Sequence, residues 1–480
     1  MKQMQKPSVF KTRRFKSGGY AVLVSVFVVA VVVAVNLFVG QLPTTVTKID
    51  NTAQKLFTFS EQTTQLLANL KENVTLTLVA EKGSEDETTQ ELLARYKALS
   101  DKITINTVDP VVQPKFTAAY TSDKVDSNSV IVESGKRNKV VGNDEIYLYD
   151  YSNYYTTGNY DVSFAGESAL TSAIDYVTSD TLPTIYQLQG HGETALAGDL
   201  QTAVQKDNLT VKDLSLLAME AVPEDCSCLL IYAPTADLSS EETDKILTYL
   251  GNGGHMLLLT DYSDTARPNL RKLMNNYGVD MADGIVVEGD MNMCLRDYQH
   301  YLLPTVNAHT ITQPLIDGKL YALMPIAQGI VKMDTVRSSL NITSLLTTSA
   351  SAYSKTNPST LKSLDRADGD QSGPFDVGVA ITEAGSAQGE TRLVWFSTSQ
   401  FLVDQINQMV GGANQDLFLN SLNWMCEREN SISIRAKNLS QEYLTVPSGS
   451  ASILSALIAV ILPLGVLGAG IAVVVKRRKR

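Results

Sequence analysis

Three short apolar runs, Thr184–Leu188, Cys226–Tyr232 and Met256–Thr260, alternate with segments of helical period, and this limits the fold more than any other feature of the sequence. Before the first run, Leu170, Ala173, Ile174 and Val177 recur at helical spacing. After it, Leu196, Leu200 and Val204 suggest a second helix. Ser239-Ser240-Glu241-Glu242 fits a capping box ahead of Ile246, Leu247 and Leu250. Gly251 and Gly253-Gly254 stop that helix, and Pro268–Tyr277 predicts another, closed by Gly278. Strands alternating with helices predict a parallel sheet with helices on both faces. Such sheets take ligands beyond the carboxyl ends of their strands, where the strand order reverses. His191, Pro234 and Asp261 fall at that edge.

The two ends of the chain carry uncharged apolar runs, Tyr20–Val39 and Ile453–Val475. Each is long enough, as a helix, to cross a hydrocarbon core of about 30 Å. Basic residues precede the first run (Lys2, Lys6, Lys11, Arg13, Arg14, Lys16) and follow the second, from Lys476 to Arg480. The positive-inside rule then predicts a two-pass protein of the cell membrane, with both termini cytoplasmic and an extracytoplasmic ectodomain between them. A cleaved signal peptide is the alternative for the first run, although no clear small-x-small site follows it. In the second, Gly465 and Ala469 make a small-xxx-small pair suited to close helix packing. Eleven of the 40 basic residues lie in the two tails, so the rest of the chain, with 51 acidic residues, is near −22. That balance argues against a nucleic-acid partner.

The first third reads as a compact α/β module. Ser60 and Glu61 open a helix, Val74–Val79 and Ile103–Val108 are strands, and Glu87–Ser100 is a helix between them. Pro110 and Pro114 break the chain. Ser129–Glu133 and Lys139–Val141 flank a Ser-Gly-Lys-Arg turn and predict a hairpin. The order is thioredoxin-like, without the Cys-x-x-Cys of thiol redox chemistry. The expected organisation is a basic tail and first span over 1–42, an N-terminal module over 43–146 and a Tyr-rich linker over 147–163. A larger α/β domain follows over 164–446, with a polar, mobile loop at 349–373, and then a second span and basic tail over 447–480. The linker holds six of the 20 tyrosines. Such a cluster can bind a glycan or a partner, or simply pack its rings on its neighbours.

Little in the sequence points to catalysis. There is no Walker loop and no Gly-x-Ser-x-Gly elbow. The turn that would carry a nucleophile is Tyr232-Ala233-Pro234-Thr235. The four cysteines, Cys226, Cys228, Cys294 and Cys426, do not make a disulfide framework, and Cys226 and Cys228 are expected on one face of a buried strand. The histidines, His191, His255, His300 and His309, do not make a helical His-x-x-x-His pair, so neither a metal nor a cofactor is called for. Paired carboxylates stay open, since their pairing is spatial. The remaining candidates for ligand or partner contact are His191 and Glu193 in the Gly-His-Gly-Glu loop, with Asp261. The same loop can equally be a tight turn in which His191 and Glu193 bond backbone groups.

The run GESALTSAIDYVT…PTIYQLQGHGE, with LVWFSTSQFL…NQDLFLNSLNWM and SISIRAK near the end, resembles GldG-like proteins, gliding-motility-associated auxiliary subunits of ABC transporters. The resemblance implies a non-enzymatic, membrane-anchored subunit beside separate ABC permease and ATPase subunits, with an envelope component or a small molecule as a further partner. It also implies a flavodoxin-like, class I glutamine amidotransferase-like sheet. The Gly-x-Cys-x-Gly nucleophile of the active amidotransferases is missing here. An alternative is a ligand- or glycan-binding sensor.

Overall fold

The computed structural model describes residues 24–33, 434–439, Lys476 and 50–428 except 51, 53, 152–157, 159, 297, 357, 359–362 and 387–388. Two compact units emerge. The larger joins Met1–Leu148 to Phe164–Lys437, and the smaller comprises Tyr149–Ser163 and Asn438–Arg480. In the smaller unit the rings of Tyr149, Tyr151 and Tyr160 pack on one another, with centroids 5.4–6.4 Å apart.

The larger unit begins with α1 (Glu61–Ala68), β1 (Val74–Val79), α2 (Glu87–Leu99), β2 (Ile103–Val108), β3 (Ser129–Glu133) and β4 (Asn138–Val141). Ser60 caps α1 and Asp86 caps α2, each side chain accepting a first-turn backbone N–H. The sheet order is β2-β1-β3-β4, with β1 parallel to β2 and the β3–β4 hairpin antiparallel. The longer helix α3 (Gly166–Thr178) packs on β3 and β4 of this sheet. Its Glu167 accepts Ser60 N (2.6 Å) and Thr63 Oγ1 (2.9 Å), and pairs with Lys437 (3.1 Å). The Tyr96 hydroxyl lies 2.6 Å from Thr171 Oγ1. At the other end of α3, Arg137 of the hairpin turn donates to the carbonyls of Tyr176, Ser179 and Asp180.

The main sheet follows, through β5 (Thr184–Leu188), α4 (Gly198–Lys206), β6 (Thr210–Leu214), β7 (Cys226–Tyr232), α5 (Ser240–Gly251), β8 (His255–Leu259) and α6 (Pro268–Asn276). It continues with β9 (Val279–Met281), β10 (Ile330–Lys332), β11 (Leu340–Thr347), β12 (Asp376–Ser386), β13 (Gly389–Phe396) and α7 (Ala413–Met425). The path is β9-β10-β12-β13-β8-β7-β5-β6, with β11 also paired to β12. Neighbours are parallel from β6 through to β13 and antiparallel from β13 to β9, so the sheet is mixed where a parallel one was expected. Alternate residues along the strands feed opposite cores. Leu230, Leu257 and Phe396 pack with Val204, Phe418 and Leu422 of α4 and α7. Leu229, Leu258 and Trp395 pack with Ile246, Leu270 and Leu273 of α5 and α6. Each such buried side chain contributes about 1.5–3 kcal/mol of transfer free energy.

Cys226 and Cys228 do not share a face. The pairing of β5 with β7 slips between Thr184–Cys226 and Ile185–Cys228, which is a bulge at Ser227. The extra residue inverts the alternation. Cys228 therefore enters one core while Cys226 packs on the other. Within 349–373, Tyr353–Lys355 and Gln371–Ser372 pair as strands, and the Lys355 ammonium meets Asp370 at 2.8 Å.

The expected membrane spans and two-pass topology are overturned. Among the described residues no helix is long and apolar enough to cross a membrane. Of the first apolar run only residues 24–33 form a described helix. The second run, Ile453–Val475, lies outside the described residues, as do residues 431–433 of the SISIRAK motif. Hydropathy registers an apolar composition, whereas a span needs a continuous helix of sufficient length. The location drawn from those spans, a cell-membrane protein with cytoplasmic termini and an extracytoplasmic ectodomain, falls with them.

Candidate functional site

The strand order reverses between β5 and β7. From β5 the chain runs through α4 to β6 on one side, then returns to β7 on the other. A doubly wound sheet holds its ligand crevice at such a point, beyond the carboxyl ends of the strands. Here the two loops above that point are sewn together. His191 O accepts the backbone N–H groups of Thr235 (3.0 Å) and Ala236 (2.9 Å), and Thr194 N donates to Tyr232 O (2.8 Å). Gly192 takes φ +73°, and a Cβ there would sit 2.1 Å from Thr235 Oγ1. Only glycine permits both that backbone and that approach.

Ala233, directly after β7, has φ +51° and donates its N–H to Leu259 O at 2.9 Å. A left-handed residue at the end of a central strand is the kind of strained turn on which α/β hydrolases expose a nucleophile. The position holds a methyl group, is buried, and is followed by Pro234. Arg267 ties the neighbouring strand ends together, donating to Pro234 O (2.7 Å) and Asp261 O (2.5 Å).

His191 is buried beneath the closed loops. Its Nδ1 lies 2.9 Å from Glu193 Oε1 and its Nε2 lies 3.0 Å from Glu242 Oε2. Glu193 Oε2 also accepts the His191 backbone N–H at 2.7 Å. An imidazole with a carboxylate on each nitrogen is held as the imidazolium. Burial works against that charge, but the hydrogen bonds from Glu193 and Glu242 outweigh it and raise the His191 pKa above its ordinary 6.5. Burial likewise works against the Glu242 carboxylate, and bonds from Ser239 and His191 outweigh it, so its pKa falls below 4.5. Glu242 is legible in the sequence only as the capping-box residue of α5. In the fold the same oxygen that caps Ser239 also receives His191.

Asp261 is placed apart from this trio. Its Oδ1 accepts Ser399 N (2.7 Å), and its Oδ2 accepts Ser399 Oγ (2.7 Å) and Gln400 Nε2 (3.3 Å). It latches the end of β8 to the turn after β13. The three residues singled out in the sequence thus occupy one edge of the sheet, and each is bonded within the protein. Among the described residues no group of three or more His, Cys, Asp or Glu is arranged to hold a metal ion.

These bonds carry a pH signature. His191 has a folded pKa above its ordinary value, so its stabilisation is complete below about pH 6.5 and is lost as pH rises through the folded pKa. Glu242 has a folded pKa below its ordinary value, so its stabilisation is present above about pH 4.5 and is lost as pH falls through the folded pKa. Both are fully expressed between those limits. Melting temperatures measured from acid to alkaline pH are expected to decline on the alkaline side, and His191→Gln is expected to flatten that decline. An identical decline in the variant would exclude His191 as its source.

The family described as an ABC-type uncharacterized transport system matches residues 182–424, half of the chain. The chain belongs to this family. The match spans β5 to α7 and so includes the closed switch point, His191, Glu193, Glu242 and Asp261. The family is that of ABC transporter auxiliary proteins, as the sequence motifs imply, and the chain has a transport-associated auxiliary role. A domain of unknown function matches residues 53–150 of this family member. No curated protein matches the chain. Among solved structures it is similar to the mmIFT52 N-terminal domain, at 14% identity, 50% of this chain, 96% of that chain and a TM-score of 0.36. A putative ThuA-like protein from Bacteroides uniformis is similar at 12% identity, 50% of this chain, 90% of that chain and a TM-score of 0.28. PurLQS from Thermotoga maritima is similar at 9% identity, 51% of this chain, the whole of that chain and a TM-score of 0.27.

Proposed function

We propose that this auxiliary protein performs no catalysis and works by contact with the separate permease and ATPase subunits of its transport system, as the GldG-like character of its motifs implies. The observation that supports this reading is the closed switch point. Where a doubly wound enzyme keeps an open crevice and a nucleophile, this chain has main-chain bonds from His191 O to Thr235 and Ala236, with Ala233 at the strained turn. His191, Glu193 and Asp261 then serve by holding the loops of the sheet edge in one shape, which presents a fixed surface to a partner. A rigid surface loses less entropy on association than a mobile one.

Affinity isolation of the tagged full-length chain from its own cells, in mild detergent, tests this. A permease and an ATPase of one ABC system are expected to co-purify in constant ratio, identified by mass spectrometry. Recovery of the chain alone, under conditions that keep other ABC systems assembled, would sink the proposal.

A further inference from the structure

Away from the sheet edge, three helices end at one cavity of about 510 Å³. Asp175 and Ser179 mark the end of α3, Lys206 to Asn208 the end of α4, and Cys426 to Arg428 the end of α7. Helix C-termini carry partial negative charge from their unsatisfied carbonyls, so three together favour a cation. The residues present answer that field only in part. Arg428 donates to the backbone carbonyl of Asp207 (2.6 Å) and pairs with the Asp175 carboxylate. It is committed there. Lys139 donates to Asn208 Oδ1 (3.0 Å) and lies over the Tyr176 ring. Lys206, Glu145 and Glu427 complete the charged lining.

Asp207 is the group left incomplete. Its Oδ2 accepts Asn423 Nδ2 at 2.7 Å, and among the described residues its Oδ1 accepts no hydrogen bond. Leu66, Ala169 and Pro183 supply apolar wall to the same cavity. A cavity of this size between packed elements, with an apolar wall facing convergent polar and charged groups, has the character of a small-molecule site.

We propose that this cavity binds a small amphiphilic organic cation, its ammonium group set against Asp207 Oδ1 and its hydrocarbon part against Leu66, Ala169 and Pro183. The proposal goes beyond the auxiliary role and does not depend on it. The binding test uses the chain alone, so its failure would leave the transporter proposal standing, and the converse holds.

The probes are hexylammonium and hexanoate, matched in length and opposite in charge, followed by calorimetry and thermal melting of the full-length chain. At about pH 7.5, hexylammonium is expected to bind and to raise the melting temperature, and hexanoate to do neither. Asp207→Asn is expected to weaken hexylammonium binding about ten- to hundredfold, the scale of one charge-assisted hydrogen bond. Burial pushes the Asp207 carboxyl up to about 6, so binding is also expected to weaken below that pH as the acid is protonated. Ala169→Phe fills the apolar side with Asp207 intact, and is expected to abolish binding even if Asp207→Asn compromises folding. Equal binding of hexanoate, undiminished binding by Asp207→Asn, or undiminished binding by Ala169→Phe would each overturn the proposal.

Discussion

Glu242→Ala is expected to destabilise the protein by about 3–5 kcal/mol, the cost of removing one partner from a buried ion pair. The carboxylate accepts Ser239 N (3.1 Å), Ser239 Oγ (2.7 Å) and His191 Nε2 (3.0 Å), and the side chain is buried. Truncation removes the α5 capping box and leaves the imidazolium with Glu193 alone. Because folded domains are stable by only about 5–15 kcal/mol in total, such a loss is a large fraction of what holds the chain folded. Denaturant titration near pH 6, where both groups are charged, measures it as a lower midpoint at unchanged slope. A double-mutant cycle with His191→Gln separates the two contributions, with an expected coupling of about 0.5–3 kcal/mol. Additive effects would show that Glu242 acts as a helix cap and nothing more.

Trp395→Ala is expected to cost about 3–5 kcal/mol, as large aromatic truncations in a packed core do. Trp395 stands in β13 between Leu258 of β8 and Val379 of β12, fully buried, with its indole N–H donating to Thr260 Oγ1 at 2.9 Å. It lies at the seam where the parallel half of the sheet meets the antiparallel half. Trp395→Phe keeps a ring and loses the bond, leaving Thr260 unpaired in the core, at an expected cost of about 1–3 kcal/mol. Trp424 is the other tryptophan of the chain, and its fluorescence reports unfolding in both variants. A loss below about 1 kcal/mol for Trp395→Ala would mean that the sheet repacks around the gap rather than keeping a cavity.

Much of the parallel half was legible because its signals are local. Thr184–Leu188 and Cys226–Tyr232 are strands over the expected residues, and the capping box at Ser239 and Glu242 starts α5 as its spacing requires. The antiparallel half was less legible. Val377, Val379 and Ile381 alternate within Asp376–Ser386, a signal a reader can find, but alternation does not distinguish parallel from antiparallel pairing. The bulge at Ser227 was hidden for a similar reason, since it exists only in the register of β7 against β5. The apolar end runs misled in the opposite direction. Their composition met the requirement for a membrane span, while among the described residues no helix meets its length.

The candidate residues divide in the same way. The Gly-His-Gly-Glu loop stands out because two glycines flank a titratable residue at a strand end, and Gly192 does take a left-handed backbone. Glu242, 51 residues beyond His191, could not be paired with it from spacing. Nor could Arg428 be matched with Asp175 and Asp207.

By itself the sequence determined which segments are strands and helices in the doubly wound half, where α5 begins, and which family motifs the chain carries. These depend on interactions within a turn or two of chain. The tertiary structure alone decided that the switch-point loops close on each other, that His191 lies between two carboxylates, and that three helix ends meet at Asp207. Those outcomes depend on the register and packing of elements far apart in sequence, where pairing is set by the whole core rather than by any local pattern.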